Sequence, residues 1–472
     1  MSVESAHAVL ERAFSRATAF LQSLAQRPVG ARASVVDLRA ALGAELSVSG
    51  VDPTQVLDEL AAAADAGLTA SAGPRYFGFV IGGSHPVGVA ADWLVTAWDQ
   101  NAGLQVTSPA AAVVEEVAGK WILDLFGLPG SASVGFVTGG QMANFTCLAA
   151  ARHAVLARQG WNVEEDGLGG APPVRILLSE QAHVTVFNAL AMLGLGKRMA
   201  RVVDADGEGR MIPSALEGAL KSGAGPTVVI AQAGHVNSGA FDKIGLLSDL
   251  SHADGAWIHV DGAFGLWAAA SPRYRHLVAG LDEADSWSVD AHKWLNVPYD
   301  SGLAIVADAV SHRACMSASA SYLKQAEQDA RDPLMYTPEL SRRARGFAVY
   351  AVLRALGREG IAALVDRLCS RARQMAGRLA SEDGVEVLNE VVLNQVLVGF
   401  RPPPGLGGDD FTERIITRVQ TGGTCWLGGT VWNGRAAARL SVCNWSTSPD
   451  DVERSADAIL EAYRQEAALQ RR

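Results

Sequence analysis

The chain predicts an α/β fold: a large domain built on a mostly parallel sheet with helices on both faces, a smaller α+β C-terminal domain, and a helical N-terminal arm. Three observations predict it. Between about residues 75 and 310, short apolar runs alternate with Ala- and Leu-rich helical segments, the pattern of strands joined by crossover helices. Residues 1 to about 70 carry apolar positions at helical spacing. Beyond about residue 336, a long helical run is followed by isolated strand-like pieces and a closing helix.

Taken in order, the arm (1–70) places Leu10, Phe14, Ala17, Leu21 and Leu24 on one helical face, and Asp52-Pro53 supplies a cap and first-turn proline for a second stretch. The large domain (71–335) offers strands at 134–138, 174–178, 227–232, 257–260 and 303–306. The C-terminal domain (336–472) opens near Pro338, runs as a helix over 343–368, and has strand-like pieces at 391–398 and 439–442.

Composition bounds the function. With 472 residues, 49% hydrophobic and 19% charged, the chain can bury a large core in two or three domains. Fifty acidic against 40 basic residues give a net charge of -10, so no general polyanion surface is expected and nucleic acid is not an expected partner. No stretch approaches the ~18 apolar residues of a membrane span, and from Met1-Ser2-Val3-Glu4, which no apolar core with a cleavage site follows, no secretory leader is expected. The expectation is a cytoplasmic protein without a membrane partner. Cys147, Cys315, Cys369, Cys425 and Cys443 are odd in number and far apart, without a CxxC or Cys/His cluster. They are expected to be reduced, with packing roles for Cys147 and Cys443, and no metal site is expected.

In parallel sheets ligands bind beyond the carboxyl ends of the strands. Those positions hold Gly139-Gly140, His183, Asn237, Asp261 and, further along, Lys293. Thr138-Gly139-Gly140-Gln141 follows a strand and opens a helix, where outward N–H groups and the helix dipole suit a phosphate. With no Walker lysine and no GxGxxG, a nucleotide is not indicated. In His259-Val260-Asp261-Gly262-Ala263 an acid directly follows a buried strand, and the small residues after it would let a flat ring lie close. Such an Asp can cap the next turn, or it can hold a pyridine nitrogen protonated and make the ring an electron sink. Lys293, in Asp290-Ala291-His292-Lys293-Trp294, is the candidate for a Schiff base with an aldehyde cofactor, chemistry that a lysine in a dry pocket performs.

Together these residues resemble the group II pyridoxal 5'-phosphate (PLP) decarboxylases of fold type I, which include aromatic amino acid and glutamate decarboxylases. The resemblance covers roughly residues 70–450. His292-Lys293-Trp294-Leu295 is similar to the signature whose lysine carries PLP as an aldimine. Ser179-Glu180-Gln181-Ala182-His183 resembles the segment whose histidine stacks on the pyridine ring, and Ser341-Arg342-Arg343 resembles the opening of the family's small domain. The resemblance implies Asp261 on the pyridine nitrogen, Ala263 under the ring, Gly140 and Gln141 at the phosphate, His292 beside the cofactor, and Asn237 near its phenolic oxygen. Tyr322, in Ser321-Tyr322-Leu323-Lys324, resembles the loop tyrosine that protonates the carbanion after carbon dioxide leaves. A homodimer with shared active sites is implied as well.

Three features depart from or qualify that pattern. Tyr76-Phe77-Gly78-Phe79-Val80-Ile81-Gly82 stands where the aromatic decarboxylases resemble Tyr-Phe-Pro-Thr, so Phe79 and Val80 are read as an altered substrate wall. Asp290 replaces the asparagine of the animal enzymes; an anion beside a phosphate is unfavourable, so Asp290 is expected to point away or to bond a neighbouring donor. Arg439 is expected to be structural, because a cation on the substrate carboxylate would favour the ground state of a decarboxylation. The leading expectation is decarboxylation of an L-amino acid, aromatic ones among the candidates, to an amine. Two rivals stay open. One is a PLP-dependent C-S or C-C lyase, or a decarboxylation coupled to oxidative deamination that yields an aldehyde. The other is a PLP-binding regulator without catalysis.

Overall fold

The computed structural model describes residues 3–43, 45–46, 48–317, 331–404 and 407–469. Seven strands form the larger sheet: β1 (Ser133–Val137), β2 (Arg175–Ser179), β3 (Ala200–Val203), β4 (Thr227–Gln232), β5 (Trp257–Asp261), β6 (Ser286–Asp290) and β7 (Gly302–Val306). Their order is β1-β7-β6-β5-β4-β2-β3. Strands β2 through β6 pair in parallel, whereas β7 is antiparallel to both β6 and β1. The carboxyl ends of β1, β2, β4, β5 and β6 therefore share one edge of the sheet with the start of β7.

The sequence makes the interior strands near-continuous apolar runs because both faces are covered. Along β2, Ile176 and Leu178 pack into a core with Cys147, Leu148 and Val155 of the helix Gly140–Ala157. Leu177 faces the opposite core, with Ile122 of the helix Pro109–Phe126 and Val349 of the helix Gly346–Ala380. The expected α/β architecture, with helices on both faces, is thus the observed one. Strands β3 and β6 went unread in the sequence. The alternating serines of β6 look like a loop, but they are buried and bonded by side chains of β5 and of the helix Gly140–Ala157.

The second sheet comprises β8 (Val385–Val387), β9 (Gln395–Phe400), β10 (Gly428–Trp432) and β11 (Arg435–Ser441), in the antiparallel order β10-β11-β9-β8. The helix Gly346–Ala380, bent at Gly357 (φ 61°), packs on the helices Pro86–Trp98 and Pro109–Phe126 and also on β8, β9 and the closing helix Pro449–Leu469. It ties the two sheets into one frame. Arg342, just before that helix, is buried against Glu115 at 2.7 Å and donates to the Phe136 carbonyl of β1 at 2.5 Å. The N-terminal helices are Val3–Ser23, Val35–Leu42 and Pro53–Asp65, and Asp52 caps the third by accepting from the Thr54 and Gln55 amides. No helix among the described residues is long and apolar enough to cross a membrane.

Candidate active site

At the shared edge, β1 runs through Gly139-Gly140 into the helix Gly140–Ala157, and β7 starts alongside. The fit is close: a Cβ on Gly302 would lie 2.5 Å from the Gly139 Cα. The Gly140 amide donates to Asp290 Oδ1 at 2.6 Å, and Asp290 Oδ2 lies 2.8 Å from Lys293 Nζ. His292 Nε2 is 3.5 Å from the same carboxylate. Asp290 therefore does not point away from the turn; the other half of the expectation, bonding to neighbouring donors, is what occurs. An amide at a helix start and an ammonium group are the two donors that offset burial of this anion. The Gln141 side chain is exposed and reaches Met192 Sδ at 4.0 Å, which leaves its backbone as the part placed at the turn.

Lys293 is shielded, with its side chain 19% exposed. The loop that carries Phe79 and Val80 lies directly on it: a Cβ on Gly82 would come 1.6 Å from the Lys293 carbonyl oxygen. Asp261, at the end of β5, is 5% exposed. It accepts from the Asn144 amide at 3.1 Å and from the Ala263 N–H at 3.2 Å, with the Ser288 hydroxyl at 3.4 Å. Turn-capping and a seat for the acid thus coexist in one residue.

His183 is the N-cap of the helix Val184–Met192, and its Nδ1 faces the Thr185 hydroxyl at 2.8 Å and the Thr185 N–H at 3.4 Å. Burial pushes its pKa down; Asp261 opposes that shift, Lys293 and Arg439 add to it, and Asp290 opposes it. All four charged side chains of the site therefore lie near enough to act on this ring. His292 is likewise pushed down, first by burial, and its Nδ1 accepts the Ser301 N–H at 3.2 Å. Its ring stacks on Tyr299 with centroids 4.2 Å apart.

The wall is aromatic. Trp426 stacks on Tyr76 at 5.0 Å and on Phe79 at 5.6 Å. Phe79 is 60% exposed and sits at φ 57°, a conformation side chains other than Gly, Asn and Asp seldom adopt. Val80 is buried. The Arg439 guanidinium donates to the Val236 carbonyl at 3.3 Å, has no carboxylate partner among the described residues, and keeps its Nε buried without an acceptor. Asn237 accepts from the Thr430 hydroxyl of β10 at 2.9 Å, so its carbonyl braces the second sheet. Tyr322 lies outside the described residues.

The structure thus gathers Gly140, His183, Asp261, His292, Lys293 and the Phe79 loop around one sheet edge. Asn144, Thr185, His259, Ser288 and Tyr299 went unassigned in the sequence. One signal existed: residues two apart on a strand share a face, which sets His259 on the side of Asp261.

A shielded lysine, a fixed carboxylate and a helix-start turn fit a flat phosphorylated aldehyde, and comparison with known proteins bears on that point directly. Residues 37–402 match the pyridoxal-dependent decarboxylase conserved domain. The chain belongs to this family. It is 27% identical over 442 residues to an aromatic-L-amino-acid decarboxylase of Bacillus atrophaeus, covering 92% of this chain and 90% of that one. It is 30% identical over 385 residues to an L-2,4-diaminobutyrate decarboxylase of Rhizobium meliloti (strain 1021), covering 80% and 75%. Among solved structures, the Oryza sativa TDC with PLP and tryptamine superimposes with a TM-score of 0.92 at 23% identity, covering 99% of each chain. The fold is that of the PLP decarboxylases, and the pyridoxal-dependent decarboxylase described here is a PLP-dependent carboxy-lyase acting on an amino acid. The regulator without catalysis, one of the two rival readings, yields to this assignment.

Proposed function

We propose that the enzyme decarboxylates an L-amino acid to its amine, aromatic substrates foremost, with Lys293 as the residue that holds PLP. The observation that carries this reading is the position of Lys293: shielded and ion-paired at 2.8 Å to Asp290, whose other oxygen accepts from the Gly140 amide of the glycine turn at 2.6 Å. When bound, PLP supplies an electron sink for the pair released as the bond between Cα and the carboxylate breaks. The chain's own residues do the rest. Lys293 would hold the aldehyde cofactor through its side-chain amine, and Asp261 would hold a proton at the pyridine nitrogen. Neutral His183 would lie against the cofactor ring and restrict its motion. The Gly140 turn and the Gln141 backbone receive the phosphate, Ala263 leaves room beneath the ring, and Tyr322 returns a proton to Cα.

The stacked Tyr76, Trp426 and Phe79 support an aromatic substrate, as does the aromatic-L-amino-acid decarboxylase relative. A second reading, a substrate with an additional carboxylate, is favoured by the Arg439 guanidinium, which has no carboxylate partner among the described residues and a buried Nε without an acceptor. A homodimer belongs to the proposal, supported by apolar side chains left exposed beside the site and on the arm: Phe79 (60%), Leu10 (69%) and Phe14 (57%). So does a cytoplasmic setting, supported by five free cysteines.

The test is a panel of aromatic, acidic and diamino L-amino acids, with carbon dioxide, amine, ammonia, aldehyde and hydrogen peroxide all measured. Carbon dioxide and amine in equal amounts, abolished in Lys293→Ala, are expected. Ammonia without carbon dioxide would overturn the decarboxylase reading, and aldehyde with peroxide would replace it by oxidative deamination.

A further inference from the structure

Asn144 is 1% exposed and sits in the helix Gly140–Ala157, behind the residues assigned to the cofactor. Its amide carbonyl faces His259 Nε2 at 2.8 Å and the Ser288 hydroxyl at 2.7 Å. Its amide nitrogen faces Asp261 Oδ2 at 3.1 Å and the Thr185 hydroxyl at 3.4 Å. The Thr185 hydroxyl in turn lies 2.8 Å from His183 Nδ1. All four hydrogen-bonding positions of a buried amide are taken, two of them on paths that end at Asp261 and His183.

The direction of every bond follows from an acceptor that cannot donate, the Asp261 carboxylate: the Asn144 NH2 must face it, so the Asn144 carbonyl faces His259 Nε2 and the Ser288 hydroxyl, which both donate to it. Trp257 Nε1–H donates to Ser286 Oγ at 2.9 Å, and Ser286 Oγ lies 3.0 Å from His259 Nδ1. With the serine proton given to Nδ1, the imidazole carries its own proton on Nε2 and donates to the Asn144 carbonyl. Turning the amide over would set its carbonyl against the Asp261 carboxylate, two acceptors with no proton between them. Burial supports a neutral imidazole, since it pushes the His259 pKa down to about 4. On the other branch the Thr185 N–H already points at His183 Nδ1, so that nitrogen accepts and the His183 proton resides on Nε2.

We propose that Asn144 is a positioning residue that aims donors at Asp261 and fixes the proton of His183, coupling the acid at the ring's nitrogen to the histidine at its face through one amide. This rests on the roles proposed above for Asp261 and His183. Donors fixed in a dry site need no reorganisation when charge develops on the cofactor, which is the physical advantage of building the relay from buried side chains.

The test loads the enzyme with PLP labelled with 15N at the pyridine nitrogen and reads that nitrogen's protonation by NMR, beside the visible spectrum and steady-state kinetics. Asn144→Asp replaces the donor facing Asp261 with an acceptor, and loss of the protonated-nitrogen signal is expected, with kcat reduced about tenfold or more and KM little changed. Trp257→Phe removes only the first donor of the chain; it is expected to weaken the same signal partially, in a protein whose circular dichroism is unaltered. Asp261→Ala separates the two levels of the argument. If it leaves the nitrogen protonated, the role given to Asp261 fails. If it abolishes the signal while Asn144→Asp and Trp257→Phe both leave it untouched, the Asn144 relay is overturned.

Discussion

Two sides of the Lys293 pocket contrast in how completely one chain finishes them. Behind Asp261, the side chains of Asn144, His259, Ser286 and Ser288 are buried and bonded to one another at 2.7–3.0 Å. In front, Phe79 and Tyr299 are 60% and 58% exposed, and the Arg439 guanidinium bonds only a carbonyl. The back is a preorganised polar network, where a missing partner would cost the full desolvation of a buried group. The front keeps unused contact surface and an unused cation, which is what a surface awaiting substrate and a second subunit would carry. On the roles proposed above, the difference teaches that the groups around Asp261 are satisfied within one chain, whereas those around Phe79 and Arg439 are left open to a substrate.

The largest expected effect breaks the centre of the comparison. Lys293→Ala should lower turnover by at least about a thousandfold and abolish the visible absorbance of covalently held cofactor. The fold should survive, since among the described residues the side chain's ion pair is with Asp290 alone. Activity retained within tenfold would remove Lys293 from its proposed role.

The next effect separates back from front by acid. In the folded protein burial lowers the pKa of His259 to about 4 and pushes His183 and His292 down as well, while in the unfolded chain all three return to about 6.5. Below about pH 6.5 the unfolded state therefore binds more protons, so stability falls as pH drops and levels off near pH 4. His259 alone contributes roughly 3 kcal/mol to that loss. Urea unfolding at pH 7 and at intermediate values down to pH 4.5 measures it. His259→Gln should flatten the curve, and an unchanged slope in that variant would place the acid sensitivity elsewhere.

How much of this contrast could be read in the sequence follows from where its information resides. Five strands of the larger sheet, and the placement of Gly140, His183, Asp261 and Lys293 at its edge, were legible because each lies within a short local pattern, an apolar run followed by a polar or small residue. The network behind them was not: Asn144 meets His259 across 115 positions and Ser288 across 144, and nothing in an Ala-rich helix marks its one inward amide. The direction of Asp290 was half legible. Charge repulsion argued that it should avoid the turn, but the Gly140 amide and Lys293, which have no other counterpart there among the described residues, draw it in.

That placement yields a mid-sized effect on the phosphate side. Asp290→Asn keeps the size of the side chain and removes an anion from the turn that the phosphate is proposed to use, so PLP should bind more tightly, by about tenfold for a change near 1.4 kcal/mol. Equilibrium dialysis of PLP against the cofactor-free protein checks it. Weaker binding would mean that Asp290 supports the cofactor through Lys293 and His292 more than it repels it.

The smallest effect tests the front. Phe79 holds a left-handed conformation that costs about 1–3 kcal/mol, and its exposed stack on Trp426 returns only about 0.5–1.5 kcal/mol. Replacement by glycine relieves the strain but adds back about 0.5–1 kcal/mol of chain entropy. These terms nearly cancel, so Phe79→Gly should change unfolding stability by less than about 1 kcal/mol in either direction. If the ring instead serves the substrate, the same variant should raise KM for an aromatic amino acid by about threefold while kcat holds, the mark of binding lost equally from ground and transition states. A large loss of stability with KM unchanged would make Phe79 part of the frame, and the contrast between a finished back and an unfinished front would lose its clearest member.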